Sequence, residues 1–128
     1  MPVIPDSVVR HFTFFDPRDR LVVVATAMLA GHDQIVGVAD VAKLDSGMAE
    51  LGVVVDDDQH DNGVGKLLTE VIASLAIKQG ATHLKSDLLE RNAPMLALLQ
   101  RLGPTTNTVE DGVAVAYTEL PVARRRAA

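Results

Sequence analysis

The chain contains no cysteine and no tryptophan. Without cysteine, a disulfide framework, a thiolate metal site and a cysteine nucleophile are all excluded. No apolar run approaches the ~20 residues of a membrane span. The opening Met1-Pro2-Val3-Ile4-Pro5 lacks the basic and then long apolar stretch of a secretory signal, so a cytoplasmic location is expected. Internal repeats, low-complexity tracts and long linkers are also missing. His11, His32 and His83 show no metal-ligand spacing, so no metal is expected. Ser7, Ser46, Ser74 and Ser86 lack the glycine context of a nucleophile elbow.

What is present describes one globular domain, residues 1–128, with 48% apolar and 23% charged residues. A domain of this size buries roughly 65–70% of its unfolded surface and holds a core without staples. The net charge of −5 is unevenly spread. Residues 1–64 carry four Lys/Arg and eleven Asp/Glu, a net of −7; residues 65–128 carry eight and six, a net of +2. An acidic half argues against a nucleic-acid-binding face, and Arg124-Arg125-Arg126 reads as a frayed terminus.

Ser7 to His11 reads as a short helical piece, and Asp16-Pro17-Arg18-Asp19 as a turn. Phe12, Phe14 and Phe15 are expected to cap the core. Valine-rich Leu21 to Leu29 reads as a strand, turned at Gly31-His32-Asp33 into Ile35 to Ala42. Asp45-Ser46-Gly47 turns into a third strand, Ala49 to Val55. These strands have apolar residues on both faces and need cover on two sides. Val64, Leu67, Leu68, Val71, Ile72 and Leu75 then recur at helical spacing, giving a helix from Gly63 to about Lys78, with Gly80 as its stop. Thr82 to Leu88 reads as a strand. A helix from about Arg91 carries Met95, Leu98, Leu99 and Leu102 on one face and ends at Gly103-Pro104. Thr105 to Val109 and Val113 to Leu120 form a last hairpin. The order β-β-β-α-β-α-β-β is an α+β fold, a mixed and mostly antiparallel sheet flanked by helices.

The stretch with chemistry is Glu50 to Leu68, ELGVVVDDDQHDNGVGKLL. A buried strand enters a turn containing Asn62, Gly63 and Gly65, and a helix starts inside it. Glycines admit close backbone approach, and unpartnered N–H groups at a positive helix end favour an anion such as phosphate. Lys66 adds a charge. A P-loop is excluded, because His60 stands where its first glycine belongs and Leu67 follows the lysine. Leu68 replaces the third glycine of a dinucleotide fingerprint. A calcium loop counted from Asp58 fails at Thr69. A helix entered through an Asn-Gly turn with no ligand remains the alternative.

Val55-x-Asp57-Asp58-x-His60-x-x-Gly63-Val64-Gly65, followed by Leu67-Leu68, resembles the acetyl-CoA motif of the GNAT superfamily of N-acetyltransferases. Glu90-Arg91-Asn92-Ala93-Pro94-Met95-Leu96 and Leu102-Gly103 resemble its next helix, closest in wording to bacterial Pat-type protein lysine acetyltransferases. The similarity spans roughly Phe12 to Leu120. It implies acetyl-CoA as co-substrate. Val53, Val54 and Val55 would pair with the pantetheine arm. The turn of His60, Asp61, Asn62, Gly63, Val64, Gly65 and Lys66 would hold the pyrophosphate, and Asn92 would contact the coenzyme near its thioester. Glu50 matches a glutamate that is the general base in several members, the alternative being a rim carboxylate paired with a neighbouring base. Only a free amine attacks a thioester, and an alkylamine has a reference pKa of about 10.4, so a partly desolvated carboxylate is suited to take the proton.

Three positions depart from that pattern. His60 replaces the usual Gln or Arg. Leu99 stands where many members place a tyrosine acid, and the sole tyrosine, Tyr117, is expected to pack. Only about twenty residues precede Leu21, so the family's first strand and first helix are expected to be missing. The acceptor groove is then open or completed by a second chain, and an uncovered edge favours a homodimer. The expected activity is acetyl transfer to an amine by direct attack in a ternary complex, the acceptor being a protein lysine by resemblance, with a small amine or amino acid as the alternative acceptor. The alternative is a non-catalytic CoA-binding or protein-interaction module.

Overall fold

The computed structural model describes residues 20–55, 63–88 and 93–121, together with the backbone of residues 11–15. Hydrophobic period sets the elements. Leu21, Val23, Ala25 and Ala27 are buried while the alternating Val22, Val24 and Thr26 are half-buried, which is the period of a strand. This is β2 (Arg20–Leu29), paired antiparallel with β3 (His32–Lys43), which pairs antiparallel with β4 (Met48–Val55). Ala30 and Gly31 both take positive φ, 50° and 82°, at the β2–β3 tip. That geometry matches the twist of the flanking strands. The expected turn at Gly31-His32-Asp33 therefore lies earlier, because His32 already pairs with Leu29.

After Gly63 the period becomes helical. Helix α1 (Val64–Lys78) buries Val64, Leu68, Ile72, Ala73 and Ala76 against β2, β3 and β4. It approaches closely because Gly37 on β3 has no side chain; a Cβ there would lie 2.6 Å from Leu68 Cδ1. Strand β5 (His83–Leu88) follows, then α2 (Ala93–Leu102), and β6 (Thr105–Glu110) and β7 (Val113–Glu119) close the chain. Helix α2 packs on α1 and β7. Leu84, Leu88 and Ala116 of the sheet join Leu68 and Ile72 of α1 and Leu99 of α2 in one buried cluster, so both helices share a face. Each fully buried aliphatic side chain there stabilises by about 1.5–3 kcal/mol relative to exposure.

The sheet order is β1-β2-β3-β4-β5-β7-β6. Every neighbouring pair is antiparallel except β4 and β5, which are parallel. The α+β order expected from the sequence is present, with one strand added. Strand β1 (His11–Phe15) pairs with β2 along the sheet edge, from His11 opposite Thr26 to Phe15 opposite Val22. The sheet thus begins one strand earlier than its valine pattern indicates. His11, read as the end of a helical piece, opens a strand instead; residues 7–10 lie outside the described residues. Only residues 16–19 stand between β1 and β2, a connection of hairpin length. Among the described residues no element covers the face opposite the helices.

Candidate active site

The site begins where the two parallel strands part. β4 and β5 pair over Met48–Glu50 and His83–Lys85 alone. Beyond Glu50, β4 stays with β3 as far as Val55, while beyond Lys85, β5 stays with β7 as far as Leu88. From Leu51 onward, therefore, no strand among the described residues pairs with β4 on its β5 side. Backbone N–H and C=O groups along such a gap need another partner, which an extended polar ligand can supply. Val53 and Val55 face the core side, and Val54 is 72% exposed on the opposite face.

A cavity of about 410 Å³ occupies the gap. Glu50, Gly52, Val54, Asp40 and Asp87 border it from the open face, whereas Leu51, Val53 and Met95 of α2 border it from the helix side. It thus reaches through the sheet. Glu50 stands at the apex of the gap, in register with Ala42 on one side and Lys85 on the other. Its side chain is exposed, so the burial that would desolvate it is absent. No ion pair joins it to a described residue. The Arg20 guanidinium instead donates to Asp40, Nη1 to Oδ2 at 2.7 Å.

The other end of the gap meets the start of α1. Gly63 is the N-cap, with φ 77° and ψ 10°, a left-handed conformation that favours glycine. It offers no side-chain cap, and the first turn contains no acidic residue. The first intrahelical bond runs from Leu67 N–H to the Gly63 carbonyl, 3.1 Å. N–H groups ahead of it have no acceptor within the helix, and the dipole adds positive character. Lys66 contributes a cation, 3.8 Å from Glu70 one turn on. Gly65 was expected to bring bare backbone to a ligand; it also has a packing role. A Cβ there would lie 3.3 Å from Leu98 Cδ1 and 3.5 Å from Val55 Cγ2, so the helix start is held against the end of β4. His60, Asp61, Asn62 and Asn92 lie outside the described residues.

Leu99 is fully buried in the core. Tyr117 sits one strand beyond Lys85, in register with it, and its hydroxyl donates to Glu110 Oε2. Its cross-strand partner is Thr106, four pairs from Glu110, and Val115 lies between them on the same face. Val115 is buried on this otherwise open face. Accepting the phenolic hydrogen bond, Glu110 raises the Tyr117 pKa above its ordinary value; burial and the charges of Glu110 and Asp87 act in the same direction. No group of three or more His, Asp or Glu able to hold a metal occurs among the described residues. No helix there is long and apolar enough to cross a membrane.

The acetyltransferase (GNAT) family matches this sequence over residues 3–103. The chain belongs to that family. No curated protein sequence matches it. Among solved structures, the GNAT domain of S. lividans PAT is similar with a TM-score of 0.68 and 26% identity, covering 85% of this chain and 65% of that one. The cAMP-binding acyltransferase from Mycobacterium smegmatis gives 0.67 and 25%, covering 84% of this chain and 34% of that one. A domain from Methanocaldococcus jannaschii DSM 2661, at 0.66 and 16%, shares the fold over 82% of this chain and 70% of its own. The chain thus spans about a third of the M. smegmatis protein.

GNAT membership implies acetyl-CoA, and the residues present suit it. The gap leaves an edge of β4 unpaired by β5, which suits an amide-bearing arm, and the glycine-capped start of α1 suits a diphosphate. Sequence reasoning found Glu50, the valines and the glycines but missed Arg20, Asp40, Gly52 and Asp87 at the cavity. Asp40 within an apolar strand and Gly52 within ELGVVV were the available signals.

Proposed function

We propose that this GNAT domain is an acetyl-CoA-dependent N-acetyltransferase that acetylates an amine, a protein lysine, by direct attack in a ternary complex. The observation that carries the reading is the position of Glu50, at the apex of the gap and facing the cavity. The lysine acceptor rests on the motif wording and on the similarity to the S. lividans PAT domain.

Bound acetyl-CoA supplies an activated thioester carbonyl. The backbone of Val53, Val54 and Val55 pairs with the pantetheine arm and fixes its depth in the gap. Residues 60–66, His60, Asp61 and Asn62 among them, hold the diphosphate at the start of α1, and Asn92 steadies the arm near the thioester. Glu50 takes a proton from the acceptor ammonium, directly or through water. Exposure of this carboxylate suits a water-mediated transfer. Nitrogen then bonds to the carbonyl carbon and sheds its second proton to water, the C–S bond breaks, and the thiolate takes a proton from water, because Leu99 has none to give.

The burial of Leu99 in the core also favours a second reading, a non-catalytic CoA-binding module. Calorimetry with coenzyme A, together with thiol release from acetyl-CoA in the presence of lysine peptides, separates the two. Binding with acceptor-dependent release is expected. Binding without release for any acceptor supports the module, and no binding removes both. We further propose a cytoplasmic homodimer that uses the open sheet edge at β1. Light scattering on a sizing column that shows only monomer at micromolar concentration would exclude the dimer.

A further inference from the structure

We infer that Asp40 makes this cavity select acceptors that carry a second positive charge a short spacer away from the reacting amine. The inference rests on the reading of Glu50 as the base and adds a residue that the motif does not contain.

Asp40 lies on β3, in register with Val22 on β2 and Gly52 on β4. Its carboxylate is held at one end and closely packed at the other. Oδ2 accepts from Arg20 Nη1 at 2.7 Å. Oδ1 lies over Gly52, where an added Cβ would be 2.7 Å away. A strand-interior glycine costs roughly 0.5–1 kcal/mol relative to alanine, and such glycines mark places of close approach. The ion pair alone does not explain it. Its side chains are 55% and 36% exposed, and surface pairs contribute ~0–1 kcal/mol. What the glycine does is let a carboxylate oxygen lie low in the cavity wall rather than stand above it.

That oxygen is well placed for an acceptor. Glu50 follows on the same face of β4, two residues from Gly52 and hence roughly 7 Å along the strand. Asp87 borders the cavity from β5. Of the nearby cations, Arg20 is engaged with Asp40, and Lys85 stands beside Glu50 on the neighbouring strand. An ammonium near Glu50 thus leaves Oδ1 of Asp40 to accept a charge-assisted hydrogen bond from a second cationic nitrogen. A spacer of about four or five methylenes spans that separation, roughly 7 Å.

The test is calorimetry on the coenzyme A-loaded protein with butylamine, 1,4-diaminobutane and 1,5-diaminopentane as probes. The wild type is expected to bind the diamines at least about tenfold more tightly than the monoamine, the size of one hydrogen bond to a charged group. Asp40→Asn should reduce that preference to within about twofold. Gly52→Ala keeps both charges but displaces Oδ1, and should do the same. Equal binding of mono- and diamine by the wild type overturns the inference, as does a preference that survives both substitutions. Coenzyme A binding is titrated first in every sample. If it is retained while the diamine preference is missing, only the role of Asp40 falls. If the wild type takes neither coenzyme nor diamine, the acetyltransferase reading falls with it.

Discussion

Replacing Glu50 by Gln tests the chemistry with little disturbance of the fold. The side chain is exposed and makes no ion pair with a described residue, so its structural contribution is at most a cross-strand pairing with Lys85. Such pairings contribute roughly 0.2–1 kcal/mol, and the urea midpoint should shift accordingly little. Coenzyme binding should not change, because Glu50 projects from the open face and the proposed diphosphate site lies at the start of α1. Turnover should fall by about 10²–10⁴, the usual contribution of a positioned base, which corresponds to roughly 3–5 kcal/mol in the barrier. The pH profile provides the control. With the base gone, the rate should follow the fraction of free amine and rise about tenfold per pH unit below ~10. Thiol release from acetyl-CoA at pH 7 to 9, with wild type and Glu50→Gln in parallel, measures both effects. A variant within about threefold of wild type at pH 7, with a parallel pH profile, would refute the role of Glu50.

Two further predictions concern the scaffold. Gly37→Ala places a methyl 2.6 Å from Leu68 Cδ1 and 3.1 Å from Val64 Cγ1, both on fully buried side chains, so overpacking should cost about 1–3 kcal/mol in urea unfolding. A loss below ~0.5 kcal/mol would show that α1 is not seated on β3 as described. The raised pKa of Tyr117 means that the native state holds the phenolic proton more tightly than the unfolded chain. Its stabilisation is complete below about pH 10 and is lost as pH rises through the raised value. Tyr117→Phe should therefore show a shallower alkaline loss of stability than wild type, and identical urea midpoints from pH 8 to 11 would contradict the Glu110 contact.

The central strands and the long helix were legible because each has an unbroken hydrophobic period. Val64, Leu68 and Ile72 announce a helix, and the valines of β2 and β4 announce strands, with bounds close to those observed. β1 was hidden because five residues between a proline-rich start and an Asp-Pro turn carry too short a pattern. The gap between β4 and β5 is not a local property. Nothing in ELGVVV tells that pairing with β5 stops at Glu50; that depends on β5 staying with β7 while β4 stays with β3. Asp40 was opaque for a related reason, since its relation to Gly52 and Arg20 exists only once three strands are in register. Local chemistry could find the glycines of the α1 start, but the contact of Gly65 with Leu98 joins residues 33 apart in the chain.

Leu99 and Tyr117 together show why the proposed chemistry can do without an acid. Leu99 is enclosed by the core and has no proton to lend, and Tyr117 is tied to Glu110 on the far side of Lys85. The two proton transfers differ in difficulty. An alkylamine with a pKa of about 10.4 is free at pH 7 in only roughly one molecule in a few thousand, so a base at the site changes the reactive fraction by orders of magnitude. A thiol near pKa 8.5 departs as an anion that is only about 1.5 pKa units from neutrality, worth roughly 2 kcal/mol, and water can protonate it afterwards. A sheet with one carboxylate at the apex of its gap and an aliphatic side chain in place of the acid therefore keeps the transfer that matters more. A tyrosine introduced at Leu99 should then raise turnover by no more than a few-fold while costing core stability, because the hydroxyl would have to replace a fully buried methyl-bearing side chain.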